Sequence, residues 1–141
     1  MKSSQDILLC LSQQGYKKTK LREMLVSLFE HLKKPLSALE IQAFLKKKKL
    51  LLNKTTVYRE LQFLREQRVI VEIDFGDGKK RYEMAGLPHH HHLVCDKCRS
   101  VEDVFIEQDL MTVEKKIKQT TSFFVKRHSL EFFGLCKHCL N

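Results

Sequence analysis

Four consecutive imidazoles, His89-His90-His91-His92, run through Leu93-Val94 into Cys95-Asp96-Lys97-Cys98, and this density of nitrogen and sulfur donors is the chemistry of metal binding. A second Cys-x-x-Cys knuckle, Cys136-Lys137-His138-Cys139, lies near the C-terminus. Two knuckles far apart in sequence can close on one tetrahedral ion, and Cys95, Cys98, Cys136 and Cys139 are assigned to structural Zn2+. Four thiolates leave no open coordination position, so this site holds a fold together, whereas a catalytic zinc keeps a place for water. Along an extended strand successive side chains point to opposite faces, so His90 and His92 look one way while His89 and His91 look the other. One strand can therefore feed two different metal sites. The plain alternative is a solvated polar run without ligands. A purification tag is set aside because tags sit at chain ends.

The elements that position these donors must come from 141 residues, enough for one domain with a core or for two small ones. Lys and Arg outnumber Asp and Glu by 26 to 17, a formal net charge of +9, and nucleic acid is the first anionic partner to consider. No apolar run reaches the roughly 20 residues of a membrane-spanning helix. The segment Ile7-Leu8-Leu9-Cys10-Leu11 is too short for a signal-peptide core, so a cytoplasmic protein is expected, with no membrane partner. In a reducing compartment paired Cys-x-x-Cys motifs favour metal over disulfides, and Cys10 is left as a small buried residue of the first helix.

The periodicity predicts a helix from about Gln5 to Gln13, stopped by Gly15, then a basic turn, Lys17-Lys18-Thr19-Lys20. Leu21, Leu25, Leu28, Phe29 and Leu32 predict a core-facing helix. Ser37-Ala38-Leu39-Glu40 has the Ser-x-x-Glu form that caps a helix start, and a third helix runs to about Lys46 with Ile41, Phe44 and Leu45 inward. The Lys46–Lys49 block reads as a solvated helix end. Asn53-Lys54-Thr55-Thr56 caps a fourth helix that buries Val57, Leu61 and Leu64 and turns Tyr58, Arg59, Gln62 and Arg65 outward, the arrangement of a recognition helix. A hairpin follows over Val69–Phe75 and Lys79–Met84, whose Lys79-Lys80-Arg81 suits a wing lying on phosphates. Ala85-Gly86-Leu87-Pro88 breaks both periodicities. Beyond it strands are expected over His90–Val94 and Val101–Ile106, a helix over Leu110–Thr120 with a stripe of Leu110, Val113 and Ile117, and a last strand over Phe123–Phe133, covered on both faces. So small a domain completes its core through the zinc clip and a second copy of itself.

Several motifs together resemble the ferric uptake regulator family of bacterial metal-responsive regulators, over nearly the whole chain. They are Gly15-Tyr16-Lys17-Lys18-Thr19 with Arg22; Ser37-Ala38 followed by Thr56-Val57-Tyr58-Arg59-Glu60-Leu61; His-x-His-Leu-Val-Cys-x-x-Cys with Val101-Glu102-Asp103; and Arg127-His128-Ser129-Leu130-Glu131 running into Gly134-Leu135-Cys136. The resemblance implies an α+β chain: a winged helix-turn-helix domain over 1–84, a hinge over 85–88, and an α/β metal-binding dimerisation domain with the four-cysteine zinc site over 89–141. It implies DNA contact by Lys17, Lys54, Thr55, Thr56, Tyr58 and Arg59, the last two toward bases. A hinge-side sensor site falls on Glu83, His90, His92 and Asp103, a donor set suited to Fe2+, Mn2+, Zn2+, Ni2+ or Co2+. A further metal site falls on His89, His91 and His128 with an acid at Asp109 or Glu107; a packed His128, alternating with Leu130 and Phe132, is the alternative. The chain departs from the family in carrying Pro35 where members commonly place a histidine, with His31 one turn earlier as a substitute.

These expectations amount to a transcriptional regulator, a repressor that binds a palindromic double-stranded operator as a homodimer when its sensor site holds a divalent metal. A peroxide-sensing repressor, in which iron oxidises its own ligands, is the first alternative. A DNA-binding protein with structural zinc alone is the second. A zinc hydrolase using Glu83 or Asp103 as base is disfavoured by the lack of a His-Glu-x-x-His helix, so no enzyme is expected.

Overall fold

The computed structural model describes residues 3–106 and 108–140, the side chains of residues 108 and 109 excepted. The chain divides into two compact units, Met1–Leu87 and Pro88–Asn141. The first contains α1 (Ser4–Gln13), α2 (Lys20–Leu32), β1 (Leu36–Ser37), α3 (Ala38–Lys47), α4 (Lys54–Glu66), β2 (Ile70–Asp74) and β3 (Lys80–Met84). Each helix starts on a side-chain cap that accepts from an otherwise unpaired amide: Ser3, Thr19, Ser37 and Asn53 in turn. At Ser37 the cap is reciprocal, Glu40 reaching back to the Ser37 amide at 2.7 Å. The apolar stripes converge on one core in which Leu25, Val26, Phe29, Ile41, Leu45, Val57, Leu61, Leu64 and Ile70 are almost wholly buried.

The hairpin of β2 and β3 gains a third strand that periodicity did not predict. Leu36 and Ser37 pair antiparallel with Tyr82 and Arg81, giving the order β1-β3-β2. Two residues are too few to show an alternation. The wing is also less cationic toward solvent than its sequence suggests. Arg81 is buried, its guanidinium held by both carboxylate oxygens of Asp77 at 3.0 and 2.8 Å and lying 5.1 Å from the Phe75 ring centroid. Lys80 pairs with Glu72 at 2.9 Å, and Glu72 also takes Arg65 of α4 at 2.8 Å. Lys80 and Arg81 therefore tie the hairpin to itself, and Glu72 ties it to α4.

The second unit contains β4 (His91–Cys95), β5 (Val101–Val104), α5 (Gln108–Thr121) and β6 (Glu131–Gly134). The sheet order is β5-β4-β6, with β4 antiparallel to β5 and parallel to β6. The last strand is much shorter than expected. It pairs only from His92↔Glu131 to Cys95↔Gly134, and β4 itself starts just one residue before that register, at His91. Within one chain it is not covered on both faces either: Phe132 and Phe133 remain 42% and 52% exposed. On α5, Val113 faces solvent, and the inward stripe is Leu110, Glu114 and Ile117. Among the described residues of this unit only Val94 and Cys95 are buried hydrophobics.

Removing one partner of a buried ion pair strands the other. Asp77→Ala is expected to destabilise the first unit by about 3 kcal/mol, read as a lowered urea midpoint; a change within experimental error would show that Arg81 finds another partner.

Candidate functional site

The two Cys-x-x-Cys knuckles sit at the ends of neighbouring strands. Parallel pairing of β4 and β6 brings Cys95 opposite Gly134, and the Asp96 amide donates to the Gly134 carbonyl at 2.8 Å. Cys95, Cys98, Cys136 and Cys139 thereby place their sulfurs within 4.8 Å of one another. The Cys98 and Cys136 sulfurs are 3.8 Å apart, far longer than a disulfide. A tetrahedron whose corners lie about 2.3 Å from a central zinc has an edge of about 3.8 Å. The protonation balance also suits a cation. Amides of Cys136 and Cys98 pull the Cys95 thiol down to about 6, while burial and then the neighbouring thiols push Cys139 up to about 12. Four thiolates this close coexist only when a positive ion balances them.

On one face of β4, His89, His91 and His128 also bring one nitrogen each within 4.8 Å of the others. The Nε2 atoms of His128 and His89 are 2.9 Å apart. His91 is 3% exposed, and its Nε2 has no hydrogen-bond partner among the described residues. Burial first, then the surrounding His89, His128, His90 and His92, lowers the His91 pKa. The shift favours the neutral ring, the state in which imidazole ligates metal. Glu114 completes the group: its Oε1 lies 2.6 Å from His128 Nδ1. A carboxylate on one ring nitrogen fixes the tautomer and aims the other at the cluster, the arrangement found behind metal-bound histidines. Asp109 and Glu107, the acids expected here, lie outside the described side chains. Glu114 was missed, although an acid in register with Leu110 and Ile117 on a helix stripe is a readable signal.

On the other face of β4, the rings of His90 and His92 stand 4.9 Å apart. His92 is opposite Asp103 on β5, with Nε2 and Oδ1 separated by 3.9 Å. That is too long for a hydrogen bond, yet two donors each about 2.1 Å from one ion can span it. His90 Nδ1 meets the Pro88 carbonyl at 2.7 Å. Glu83 belongs to the first unit, buried on β3 opposite Val71. His31 is exposed in the last turn of α2, its Nδ1 2.7 Å from the Ser27 carbonyl, and Pro35 is buried.

The face of α4 has the character of an anion-docking surface. The first turns of α1, α2 and α3 carry Asp6, Glu23 and Glu40, whereas that of α4 carries no acid. Its positive helix end therefore has no acid of its own first turn to balance it. Lys54, Thr55, Tyr58 and Arg59 are exposed, and Lys54 Nζ lies 5.6 Å from the Tyr58 ring centroid. Thr56 differs from expectation in being half-buried, with its hydroxyl donating to Asn53 Oδ1 at 2.8 Å. Lys17 is exposed in the loop between α1 and α2.

Comparison with known proteins matches residues 13–133 to the model of the ferric uptake regulator family. The chain belongs to that family. It is 40% identical to the ferric uptake regulation protein of Bacillus subtilis over 134 residues, covering 92% of this chain and 89% of the relative. The peroxide-responsive repressor PerR of Staphylococcus epidermidis is 31% identical over 84 residues, covering 60% of this chain and 55% of the relative. Among solved structures, the Helicobacter pylori ferric uptake regulator Fur superposes with a TM-score of 0.86 at 25% identity, covering 99% of this chain and 95% of that one; it is described as having three functional metal binding sites. Proteins of the ferric uptake regulator family are metal-responsive, DNA-binding transcriptional regulators, and such relatives are not enzymes. No helix among the described residues is long and apolar enough to cross a membrane.

Two outcomes follow from these metal centres. Glu114→Gln should lower the affinity of the His89, His91 and His128 cluster for Zn2+ by about 10- to 100-fold in competition with a chromophoric chelator, leaving the thiolate-held zinc bound. Cys136→Ser should release that zinc and deprotect the amides of β4 and β6 in hydrogen exchange, with those of α2 and α4 unchanged.

Proposed function

We propose that this protein is a homodimeric repressor that closes on a palindromic DNA operator when a divalent metal fills its sensor site. The observation that carries this reading is β4, one strand that presents donors on both faces beside a four-cysteine knot, in a chain of the ferric uptake regulator family. Cys95, Cys98, Cys136 and Cys139 hold structural Zn2+. Glu83, His90, His92 and Asp103 form the sensor for Fe2+, Mn2+, Zn2+ or Ni2+, and His89, His91 and His128 form a further site with Glu114 as its acid. A metal biases the two DNA-reading heads only by its differential affinity for the arrangement that fits the operator.

Dimerisation is supported by the apolar surface left open on the second unit, where Phe132, Phe133 and Leu135 are exposed along and after β6. A second copy supplies what one chain lacks, and a two-fold dimer reads an inverted repeat. On α4, Tyr58 and Arg59 face bases, where an aromatic ring meets a thymine methyl and a guanidinium pairs with guanine. Lys17, Lys54 and Thr55 hold phosphates, and Thr56 supports them through the helix cap.

Affinity for an operator duplex, measured at fixed salt with the structural zinc in place, should rise at least tenfold with one of Mn2+, Fe2+, Zn2+ or Ni2+. The His90→Ala/His92→Ala variant should lose that response. Affinity indifferent to every metal would leave a DNA-binding protein with structural zinc alone. The kinship to peroxide-responsive repressors supports a second reading, in which iron at His90 and His92 oxidises its own ligands. Added oxygen on either histidine after peroxide treatment of the iron form, detected by peptide mass, would decide for it.

A further inference from the structure

Burying a guanidinium is costly unless every edge is satisfied, and Arg22 on α2 is 8% exposed. Its Nε and Nη2 meet both oxygens of Glu60 on α4, at 2.6 and 3.2 Å. Its Nη1 donates to the Lys17 carbonyl at 2.6 Å, in the loop between α1 and α2. The face of the same group lies 3.9 Å from the ring centroid of Phe63, also on α4, and Phe63 meets Tyr16 edge to face at 4.9 Å. One side chain thus gathers three segments: the Tyr16-Lys17 loop, α2 and α4. Apolar side chains would fill this volume at lower cost. A planar fork adds direction, because it fixes an angle as well as a distance.

Glu60 lies about 200° around the helix from Tyr58 and about 100° from Arg59. Holding Glu60 therefore sets the rotation of α4 about its own axis, and with it the azimuth of the two residues assigned to bases. The hydrogen bond to the Lys17 carbonyl sets where the loop lysine stands relative to that helix. We propose that Arg22 is the positioning residue of the DNA-contacting face, locking Lys17 and the α4 residues Tyr58 and Arg59 into one spacing. This rests on the DNA-binding reading above. A lysine at position 22 would keep the charge but could not hold Glu60 and the Lys17 carbonyl with one planar group.

The test uses the full-length zinc-loaded protein and a duplex that the wild type selects from a random-sequence pool, with a scrambled duplex as reference. Affinities are measured across a salt series at constant metal, with thermal midpoints, for Lys17→Ala, Arg22→Gln, Arg22→Lys, Glu60→Gln and the Lys17→Ala/Arg22→Gln double variant. Lys17→Ala should reduce the slope of log affinity against log salt by about 0.9 for each copy that touches a phosphate. Arg22→Gln, which keeps Lys17, should show the same loss of slope and bind the selected duplex at least tenfold more weakly. The double variant should bind no more weakly than Arg22→Gln, and Arg22→Lys should recover the thermal midpoint more fully than the affinity. Additive losses, an unchanged slope in Arg22→Gln, or full recovery by Arg22→Lys would overturn the positioning role while leaving the DNA-binding reading intact. A wild type that prefers no duplex over the scrambled one would overturn both. If Arg22→Gln does not fold, Glu60→Gln takes its place in the same comparison.

Discussion

The second unit is held by very little apolar burial, and the rest of the molecule's proposed behaviour depends on how that shortage is made good. Its sheet has three short strands, and its α5 stripe includes a carboxylate. Beyond the β4–β6 ladder and the contact of His89 with His128, its two sequence-distant ends are joined by the meeting of Cys95 and Cys98 with Cys136 and Cys139. An ion there would replace, with a few strong bonds, the cohesion that a larger core would spread over many weak contacts. The same shortage leaves phenylalanines at the surface of β6, so the proposed second copy and the proposed zinc would answer one physical deficit.

The first unit is built on the opposite plan. Its core is apolar and continuous, its helices are capped at every start, and its charges are spent on fixing angles. Glu72 joins β2 to both β3 and α4, Asp77 locks Arg81, and Glu60 receives Arg22. The net positive charge of the chain is therefore a poor map of where it presents cations. The wing uses two of its three basic residues internally, while the start of α4 concentrates donors, a lysine and a helix end without a balancing acid. The wing's charges tie it to itself and to α4, while α4 and the loop before α2 present exposed cations.

Most of this was readable from the residues, for reasons that differ from place to place. The helix starts were legible because Ser, Thr and Asn caps act within three residues, and the knuckles because thiol spacing is local. β1 was not, since two residues carry no period and its pairing with Tyr82 and Arg81 is a tertiary fact. The last strand was overread, because a run of Phe, Val and Leu marks apolar surface without saying whether a strand or a partner covers it. Arg81 was read as a wing cation open to phosphates because a cation's sign is visible in sequence and its counterion is not; Lys80 is exposed but carries a counterion, Glu72, that the sequence did not show. Glu114 was overlooked because Val113, the better hydrophobe, claims by composition the stripe that the helix gives to its neighbour. For the donors on β4, alternation along a strand was sufficient to separate His89 and His91 from His90 and His92; Asp103 opposite His92 came from the family resemblance, and Glu114 beside His128 came from neither.

The run of four identical residues has an asymmetric tolerance to change in length. Register on β4 is counted back from Cys95, whose place is set by its pairing and by the knot. One histidine more would leave an imidazole at every ligand position, since each slot is refilled by its twin. One fewer would bring Pro88 into the slot of His89, while the other three slots stayed filled. The tract can thus grow without erasing either set of donors but cannot shrink without losing one, and the loss falls on the cluster with His128 before it reaches the face that carries His90 and His92.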